Sequence, residues 1–241
     1  MLAEMLTNLR QSLYKNNVSI KSRIGFDNLS DSNDVSIIIP AHNEKENLFP
    51  LAKLLQSNLS KLNSTYEIIF IDDGSDDGTI TLLNELFRAN TLQHMKIVQL
   101  RKHFGQASAL QTGFNLSNGK IIVTMDADLQ CHPQDIQRFL EKIHDGYDLV
   151  IGWRTQVPTV RALGSHLFNR LARFLLKVDI RDINCGFRAF QRTVARKTHF
   201  YGGWHRLFPA LAAKQGAHYT SSEDPVDLTT AQKCSHGVQC S

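Results

Sequence analysis

Short runs of β-branched apolar residues, separated by segments with helical spacing, constrain the fold of this chain most. The first run, Val35–Ile39, is closed by Pro40 and predicts a buried strand. Four further strands are predicted at Glu67–Ile71, Lys96–Leu100, Ile121–Met125 and Leu149–Trp153. Helices are predicted between them, at Leu48–Leu62, Leu82–Leu86, Gln106–Leu116 and Pro133–His144. This alternation is typical of βαβ units, and it predicts an α/β fold with a mainly parallel sheet flanked by helices.

The chain divides into three parts. Residues 1–34 are polar, and we interpret them as an appendage with at most one short helix. Residues 35–220 contain all the predicted strands and form one candidate domain, whose halves are 35–153 and 154–220. Residues 221–241 form a tail of different composition.

The composition excludes several classes of protein. With 42% hydrophobic and 21% charged residues, the chain is unlike a disordered or fibrous protein. Its four cysteines are too few for a disulfide framework, and no apolar run reaches the roughly 18 residues of a membrane span. We therefore expect a cytoplasmic setting.

Charge is distributed unevenly along the chain. Residues 1–150 contain 14 Lys and Arg against 18 Asp and Glu, whereas residues 151–220 contain 12 Lys and Arg against two Asp. The net charge of +4 conceals this difference. A basic half of this kind suits an anionic partner, such as a phosphate compound or a membrane surface.

Polar clusters follow three of the predicted strands directly, at Ala41–Glu46, Asp72–Thr79 and Asp126–Gln130. Ligands of open parallel sheets bind beyond the carboxyl ends of the strands. We therefore expect the three clusters to meet at one edge of the sheet and to form the binding site there.

The cluster Asp126-Ala127-Asp128 places two carboxylates one residue apart at a strand end. One can meet a ribose hydroxyl, while the other, helped by Gln130, can ligate a hard divalent cation such as Mg²⁺ or Mn²⁺. The alternative is a solvated Asp-rich turn with a capping role. The other acidic loops at the same edge favour the binding interpretation.

The cluster Asp72–Thr79 has two interpretations. Asp76, Asp77 and Thr79 suit a turn and the start of a helix, whereas Asp73 lies nearer the strand end and is the better candidate for a base or ribose. A calcium loop is disfavoured because the twelve-residue spacing with a terminal Glu is missing. The chain also lacks the glycine patterns of dinucleotide-binding and P-loop proteins.

Four motifs together resemble those of the family-2 glycosyltransferases, and more narrowly the polyprenyl-phosphate (dolichyl- or undecaprenyl-phosphate) glycosyltransferase branch. They are Val35–Glu44, Ile71-Asp72-Asp73-Gly74-Ser75, Phe104-Gly105-Gln106 and Met125–Gln130. The resemblance runs from about Asp34 to about Gly216, with the motifs in the order and at the spacing usual in that family. The combination of the second and fourth motifs in one chain is specific.

The resemblance implies a GT-A type fold with a Rossmann-like nucleotide-binding half. It also implies a nucleotide-sugar donor, UDP- or GDP-linked, and Mg²⁺ or Mn²⁺ as cofactor. Carried over by position, the nucleotide pocket would consist of Pro40, His42, Glu44, Ile71 and Asp73. His42 stands where the family often has Tyr. Asp126 and Ala127 would lie against the ribose and first phosphate, with Asp128 and Gln130 as metal ligands.

The acceptor implied by the resemblance is a polyprenyl phosphate, and no nucleic acid is expected as a partner. Arg154 and Arg188 match basic positions of the branch, and Asp182 matches an acidic one that orients the acceptor region. Each arginine has a plain alternative as a solvated surface charge. The predicted catalytic group is Asp126, Asp128, Asp182 and Arg188, with Arg154 assigned to donor binding.

The implied chemistry is inverting transfer, because the acceptor phosphate is already anionic and attacks opposite the leaving diphosphate. A strong catalytic base is then unnecessary, and positioning of the two anions is the main requirement. Residues 160–178 predict a basic amphipathic helix, suited either to a membrane interface or to packing on the sheet. We expect a peripheral location at the cytoplasmic face of a membrane.

The resemblance weakens near the end of the chain. Members of the branch continue through a basic segment of the form Arg-x-x-Gly-x-Ser-Lys, which Leu228–Val238 does not match. We expect a truncation or a frameshift there. Two alternatives therefore stay open: a family-2 enzyme with another glycan or lipid acceptor, and an inactive remnant that binds nucleotide sugars.

Overall fold

The computed structural model describes residues 19–22, 33–153, 178–197 and 202–222 of the chain. Residues 160–177 of the predicted helix at 160–178 and residues 223–241 of the predicted tail at 221–241 lie outside these described residues, as does Arg154. Within them, no helix is long and apolar enough to cross a membrane.

The described residues form one mixed sheet of eight strands, in the order β1-β4-β3-β2-β5-β7-β6-β8. The strands are β1 (Ser19–Ser22), β2 (Val35–Ala41), β3 (Tyr66–Asp72), β4 (Met95–Gln99), β5 (Ile121–Thr124), β6 (Leu149–Ile151), β7 (Arg188–Gln191) and β8 (Tyr219–Ser221). All five strands expected from the sequence are therefore present, within two residues at each end.

The centre of the sheet is parallel, as the sequence predicts. Strand β2 pairs in parallel with β3 and β5, and β3 pairs in parallel with β4. Every residue of Val35–Ala41 is buried, because helices cover both faces of a central parallel strand. The register pairs Ala41 with Asp72, so the polar clusters that follow β2 and β3 begin side by side.

Antiparallel strands complete both sides of the sheet. Strand β7 pairs antiparallel with both β5 and β6, and β8 pairs in parallel with β6. Local sequence patterns do not predict β7 or β8. On the other side, Ser19–Ser22 pairs antiparallel with β4. Residues 1–34 therefore contribute a strand to the sheet where at most a short helix is expected.

Seven helical segments are described around this sheet. They are α1 (Lys45–Leu59), α2 (Thr79–Arg88), α3 (Gln106–Leu116), α4 (Asp135–His144), α5 (Arg192–Lys197), the 3₁₀ helix Gly202–Leu207 and α6 (Phe208–Lys214). Helix α3 has the predicted bounds. Helix α1 ends before Leu62, and α4 begins two residues after Pro133.

A buried charge cluster ties three strands together near their amino ends. The Glu67 side chain is 1% exposed and lies 2.5 Å from Lys96 Nζ on β4. Its other carboxylate oxygen accepts hydrogen bonds from the Ser36 hydroxyl, at 2.5 Å, and from the Asn118 backbone N–H, at 2.6 Å. Each donor comes from a different segment, so this carboxylate fixes β2, β4 and the α3–β5 connection relative to β3.

Candidate active site

The Asp73 carboxylate organises the loop that follows β4. It is 2% exposed and accepts backbone N–H bonds from Phe104 and Gly105, both at 2.8 Å. The imidazole of His103 lies 2.9 Å from the same carboxylate. Both oxygens of Asp73, the residue predicted to contact a base or ribose, thus already receive donors from the protein.

Gly74 permits this close approach. A Cβ built at Gly74 would lie 2.3 Å from the carbonyl carbon of Lys102, and the residue has φ of +67°. A side chain would push the loop away and would also strain the backbone. The glycine therefore keeps Asp73 within hydrogen-bond reach of the loop.

Two histidines form a stacked pair above Asp73. The rings of His42 and His103 are 4.0 Å apart between centroids and inclined by 30°. His42 Nδ1 donates to the Asp73 carbonyl oxygen at 2.9 Å, which leaves Nε2 as the other polar atom of the ring. Both residues are exposed, so the pair offers an aromatic surface where β2 and β4 end.

The rest of the acidic loop has structural partners within the protein, as its turn and helix-start residues predict. Asp77 accepts hydrogen bonds from the Thr79 backbone N–H and hydroxyl, at 2.8 and 2.6 Å. Asp76 exchanges two hydrogen bonds with Asn43, at 2.9 and 3.0 Å. These contacts begin α2 and join its loop to the loop after β2.

Two further carboxyl groups of the site have raised pKa values. Asp72 is fully buried, neither of its carboxylate oxygens has a hydrogen-bond partner among the described residues, and burial raises its pKa. Glu44 is half-buried, and burial followed by the negative charges of Asp128 and Asp77 raises its pKa. Strands β2 and β5 pair in parallel up to Ile38 and Thr124, so the loops that carry Glu44 and Asp128 leave the sheet at the same edge.

Asp126 is held from two sides. Gln106 Nε2 donates to its carboxylate at 2.7 Å. Gly186 packs against the same carboxylate, because a Cβ built there would lie 2.2 Å from Asp126 Oδ2. The Thr124 hydroxyl donates to the Gly186 carbonyl oxygen at 2.8 Å and fixes this approach.

Asp128 and Gln130 lie in a tight turn after β5. The Gln130 backbone N–H donates to Asp128 Oδ1 at 3.0 Å, and Leu129 between them has φ of +60°. Among the described residues there is no group of three or more His, Cys, Asp or Glu side chains placed to hold a metal. The oxygen donors of this turn nevertheless fit Mg²⁺ or Mn²⁺, which take one or two carboxylates together with water and ligand phosphate oxygens.

Arg188 has a different environment from the one expected of a phosphate-binding residue. It is 5% exposed, and its guanidinium donates to the carbonyl oxygens of Cys185, Ile183 and His205 at 2.7, 3.0 and 2.9 Å. It thus joins β7 to the segment before it and to the 3₁₀ helix. Asp182 is also buried, and its carboxylate accepts a hydrogen bond from the Asn184 backbone N–H at 3.1 Å.

A cavity of about 280 Å³ opens beside Asp126. Its polar lining includes Gln106, Asp126, Asn184, Arg188, His205 and Arg206. Its apolar lining includes Pro40, Leu110, Phe114, Met125, Phe190 and Phe208. The cavity therefore has a polar side next to the predicted metal loop and an aromatic, apolar side.

Of the other predicted site residues, Pro40 lines the cavity, whereas Ile71 and Ala127 are buried next to the site. Three residues of the site, His103, Asn184 and Arg206, have no assigned role in the sequence analysis. His103 follows β4 at the same edge, a position that the βαβ rule identifies in principle. Asn184 and Arg206 reach the site through antiparallel strand β7 and the 3₁₀ helix, which the sequence patterns do not predict.

Comparison with known proteins identifies relatives of the chain. The family model described as Glycosyl transferase family 2 matches residues 36–203. An undecaprenyl-phosphate 4-deoxy-4-formamido-L-arabinose transferase of Klebsiella pneumoniae is 36% identical over 66% of this chain and 49% of its own length. A dodecaprenyl-phosphate galacturonate synthase of Rhizobium johnstonii is 29% identical over 75% of this chain and 54% of its own length. The chain thus spans about half the length of these curated relatives.

The fold also matches solved structures. A mannosyltransferase from Pyrobaculum calidifontis, solved with GDP-Man and Mn²⁺, superposes with a TM-score of 0.59 at 17% identity, covering 91% of this chain and 62% of that one. At this identity the match supports the fold alone. It confirms the predicted GT-A type architecture, with a mostly parallel mixed sheet between helices.

Proposed function

This chain belongs to glycosyl transferase family 2, and from that premise we propose that it transfers a sugar from a UDP- or GDP-linked donor to a polyprenyl phosphate with inversion. The observation that carries the proposal is the position of Asp126 and Asp128. Both follow β5 at the carboxyl edge of the sheet, where Asp126 lines the cavity and where the stacked histidines follow β2 and β4. Both curated relatives are named as polyprenyl-phosphate enzymes, which supports the acceptor class.

The donor nucleotide binds across the ends of β2, β3 and β5 in this proposal. His42 and His103 present an exposed aromatic surface on which a base can stack, and Asp73 holds that surface in place. Asp126, fixed by Gln106, accepts a hydrogen bond from a ribose hydroxyl. Glu44 follows β2 at the same edge and is a second hydrogen-bond acceptor for the nucleotide in this proposal. Burial raises the pKa of its carboxyl group.

Asp128 and Gln130 hold Mg²⁺ or Mn²⁺ in this proposal. When bound, the cation supplies positive charge to the diphosphate as it leaves the anomeric carbon. The remaining contributions come from the protein. Asp126 and the turn after β5 orient the donor, and the cavity excludes water from the anomeric carbon. The acceptor phosphate needs no strong base because it is already ionised at neutral pH.

The predicted domain at 35–220 is the unit to which we assign this activity. The basic composition of residues 151–220 supports peripheral association with an anionic membrane at its cytoplasmic face. Sedimentation with vesicles tests this point. Binding to vesicles containing anionic lipid, and its loss at high salt, is the expected result.

Calorimetric titration tests donor binding. UDP- and GDP-sugars are titrated into the chain with and without Mn²⁺, and we expect one nucleotide class to bind with Mn²⁺ dependence. The Asp128→Ala variant should lose that dependence, whereas Asp145→Ala, an exposed residue at the end of α4, should not. Absence of binding by every nucleotide sugar would refute the proposal.

A transfer assay on short polyprenyl phosphates tests the acceptor. We expect transfer with inversion of the anomeric configuration. Nuclear magnetic resonance of the product measures that configuration. Donor binding without transfer to any prenyl phosphate, combined with transfer to a glycan or another lipid, would replace the proposed acceptor.

A further inference from the structure

We propose that Arg206, not Arg188, binds the acceptor phosphate, and that the cavity beside Asp126 receives this phosphate with the first apolar carbons attached to it. The inference rests on the proposed function and adds the location of the acceptor. The ligand class is a phosphate monoester with an apolar substituent.

Arg188 belongs to the predicted catalytic group, but its guanidinium donors are engaged within the protein. Its three carbonyl hydrogen bonds are short, and the residue is buried. A phosphate could bind the guanidinium only by displacing carbonyls that would then lose their donors, which is costly in a buried site. Arg188 therefore stabilises the walls of the cavity.

Arg206 has the opposite properties. It is exposed, it lines the cavity, and no ion pair connects it to a carboxylate of the residues that the structure describes. A guanidinium of this kind can present two parallel N–H donors to a phosphate. The bond from Arg188 to the His205 carbonyl oxygen, at 2.9 Å, holds the backbone immediately before Arg206. The cation is thus exposed and attached to a fixed segment.

Charge and polarity place the phosphate on the Arg206 side of the cavity. Asp126 lies on the cavity wall with its carboxylate held by Gln106, and it repels an anion. The apolar wall formed by Leu110, Phe114 and Phe208 suits the first carbons of an isoprenoid chain rather than sugar hydroxyls, which would lack partners there. A phosphate bound to Arg206 would therefore place its apolar substituent along this wall.

The test compares Arg206→Gln with Lys214→Gln. Lys214 is an exposed cation at the end of the adjoining helix α6, outside the cavity lining, and serves as the matched control. Geranyl phosphate is titrated into each protein in the presence of saturating nucleotide diphosphate and Mn²⁺. We expect Arg206→Gln to weaken geranyl phosphate binding by about 10- to 100-fold, the range for a hydrogen-bonded charge. Lys214→Gln should change it less than twofold.

Two further measurements decide the assignment. Nucleotide-sugar affinity should stay within twofold in Arg206→Gln, and geraniol should bind the parent and the variant equally weakly because it lacks the phosphate. Arg206→Lys, which keeps the charge and loses the paired donors, should lie between the parent and Arg206→Gln. Thermal unfolding of each variant within a few degrees of the parent shows that the fold is retained.

Three results would overturn the inference. Unchanged geranyl phosphate affinity in Arg206→Gln would remove Arg206 from the acceptor site. A parallel loss of nucleotide-sugar affinity would assign Arg206 to the donor diphosphate instead. Normal donor binding by the parent without any binding of geranyl phosphate would reject the cavity as an acceptor site while leaving donor binding intact. Failure of the proposed function itself is distinct, because the parent would then bind no nucleotide sugar.

Discussion

The Asp73 carboxylate lies 2.9 Å from His103 Nδ1 and accepts the next two backbone N–H groups of the same loop. A carboxylate with these donors holds residues 103–105 in place against the end of β3. The stacked ring of His42 depends on the same residue, since it donates to the Asp73 carbonyl oxygen. One residue at the end of β3 thus holds both exposed rings of the site.

The Asp73→Asn variant should therefore weaken nucleotide binding by about 10-fold or more. The amide keeps one acceptor oxygen and replaces the other with a donor, so at least one of the loop N–H groups loses a charge-assisted bond of about 1.5–3 kcal/mol. Calorimetric titration of the nucleotide diphosphate measures the effect. Asp76→Asn, in the exposed part of the same acidic loop, is the control and should bind normally. Equal affinity of Asp73→Asn and the parent would show that the loop does not contribute to nucleotide binding.

The Gly186→Ala variant should impair metal-dependent donor binding without unfolding the protein. The added Cβ would lie 2.2 Å from Asp126 Oδ2, so the carboxylate must turn away and lose its bond from Gln106. We expect at least a tenfold loss of donor affinity in the presence of Mn²⁺, by the loss of a hydrogen bond to a charged group. Circular dichroism should show the parent's secondary structure. Donor affinity equal to that of the parent would mean that the orientation of Asp126 is unimportant.

Two aspartates should contribute to the free energy of unfolding with opposite pH dependence. Burial raises the folded-state pKa of Asp72 above its ordinary value of 3.8. The protonated carboxyl therefore contributes its full stabilisation below pH 3.8, and this contribution is lost as pH rises through the folded-state pKa. The Asp72→Asn variant should therefore become more stable relative to the parent from about pH 4 to about pH 7. Chemical denaturation across this range measures the difference.

Asp34 provides the comparison. Hydrogen bonds from Thr65 and Lys120 lower its pKa, so its contribution is present above 3.8 and disappears as pH falls. Asp34→Asn should be less stable than the parent near neutral pH, and the difference should vanish in acid. Parallel pH dependence of the two variants would contradict the assigned environments.

Removal of the buried Glu67 charge should destabilise the sheet strongly. Glu67→Gln removes the carboxylate charge beside Lys96 Nζ, and breaking such a buried pair costs about 3–5 kcal/mol. Urea denaturation measures this cost. Lys120→Gln breaks the exposed pair with Asp34 and should cost less than about 1 kcal/mol. The double variant Glu67→Gln with Lys96→Met should recover part of the lost stability. A double variant less stable than Glu67→Gln alone would argue against the broken Glu67–Lys96 charge pair as the cause.

The central part of the fold could be predicted from local patterns. The run Val35–Ile39 is apolar at every position, which is typical of a strand buried on both faces, and the structure buries all of β2. Helix α3 has its predicted bounds because Gly105, at φ of +91°, and the extended Ser117 stop it at both ends. The three polar clusters follow strands at one edge by topology alone, so the edge that carries the candidate site follows from the strand pattern.

Sequence patterns could not predict the partners of those residues. Arg188 matches a basic position of the family branch, but the sequence does not show that its guanidinium is bound by carbonyl oxygens. Those carbonyls lie 3, 5 and 17 residues away along the chain and meet only when β7 pairs with β5 and β6. Strand β1 likewise depends on the free edge of β4. Such pairings join distant segments, and no local periodicity encodes them.

The sequence by itself determined the βαβ core, the family and the edge of the sheet where the acidic motifs gather. The tertiary structure decided what each charged group does there. Asp73 receives donors from a loop 31 and 32 residues on, Arg188 is enclosed by carbonyls, and Arg206 lies exposed on the cavity wall. The physical reason is that burial and hydrogen-bond partners set the availability of a charge. Both are properties of the packed chain, whereas propensity and periodicity are local.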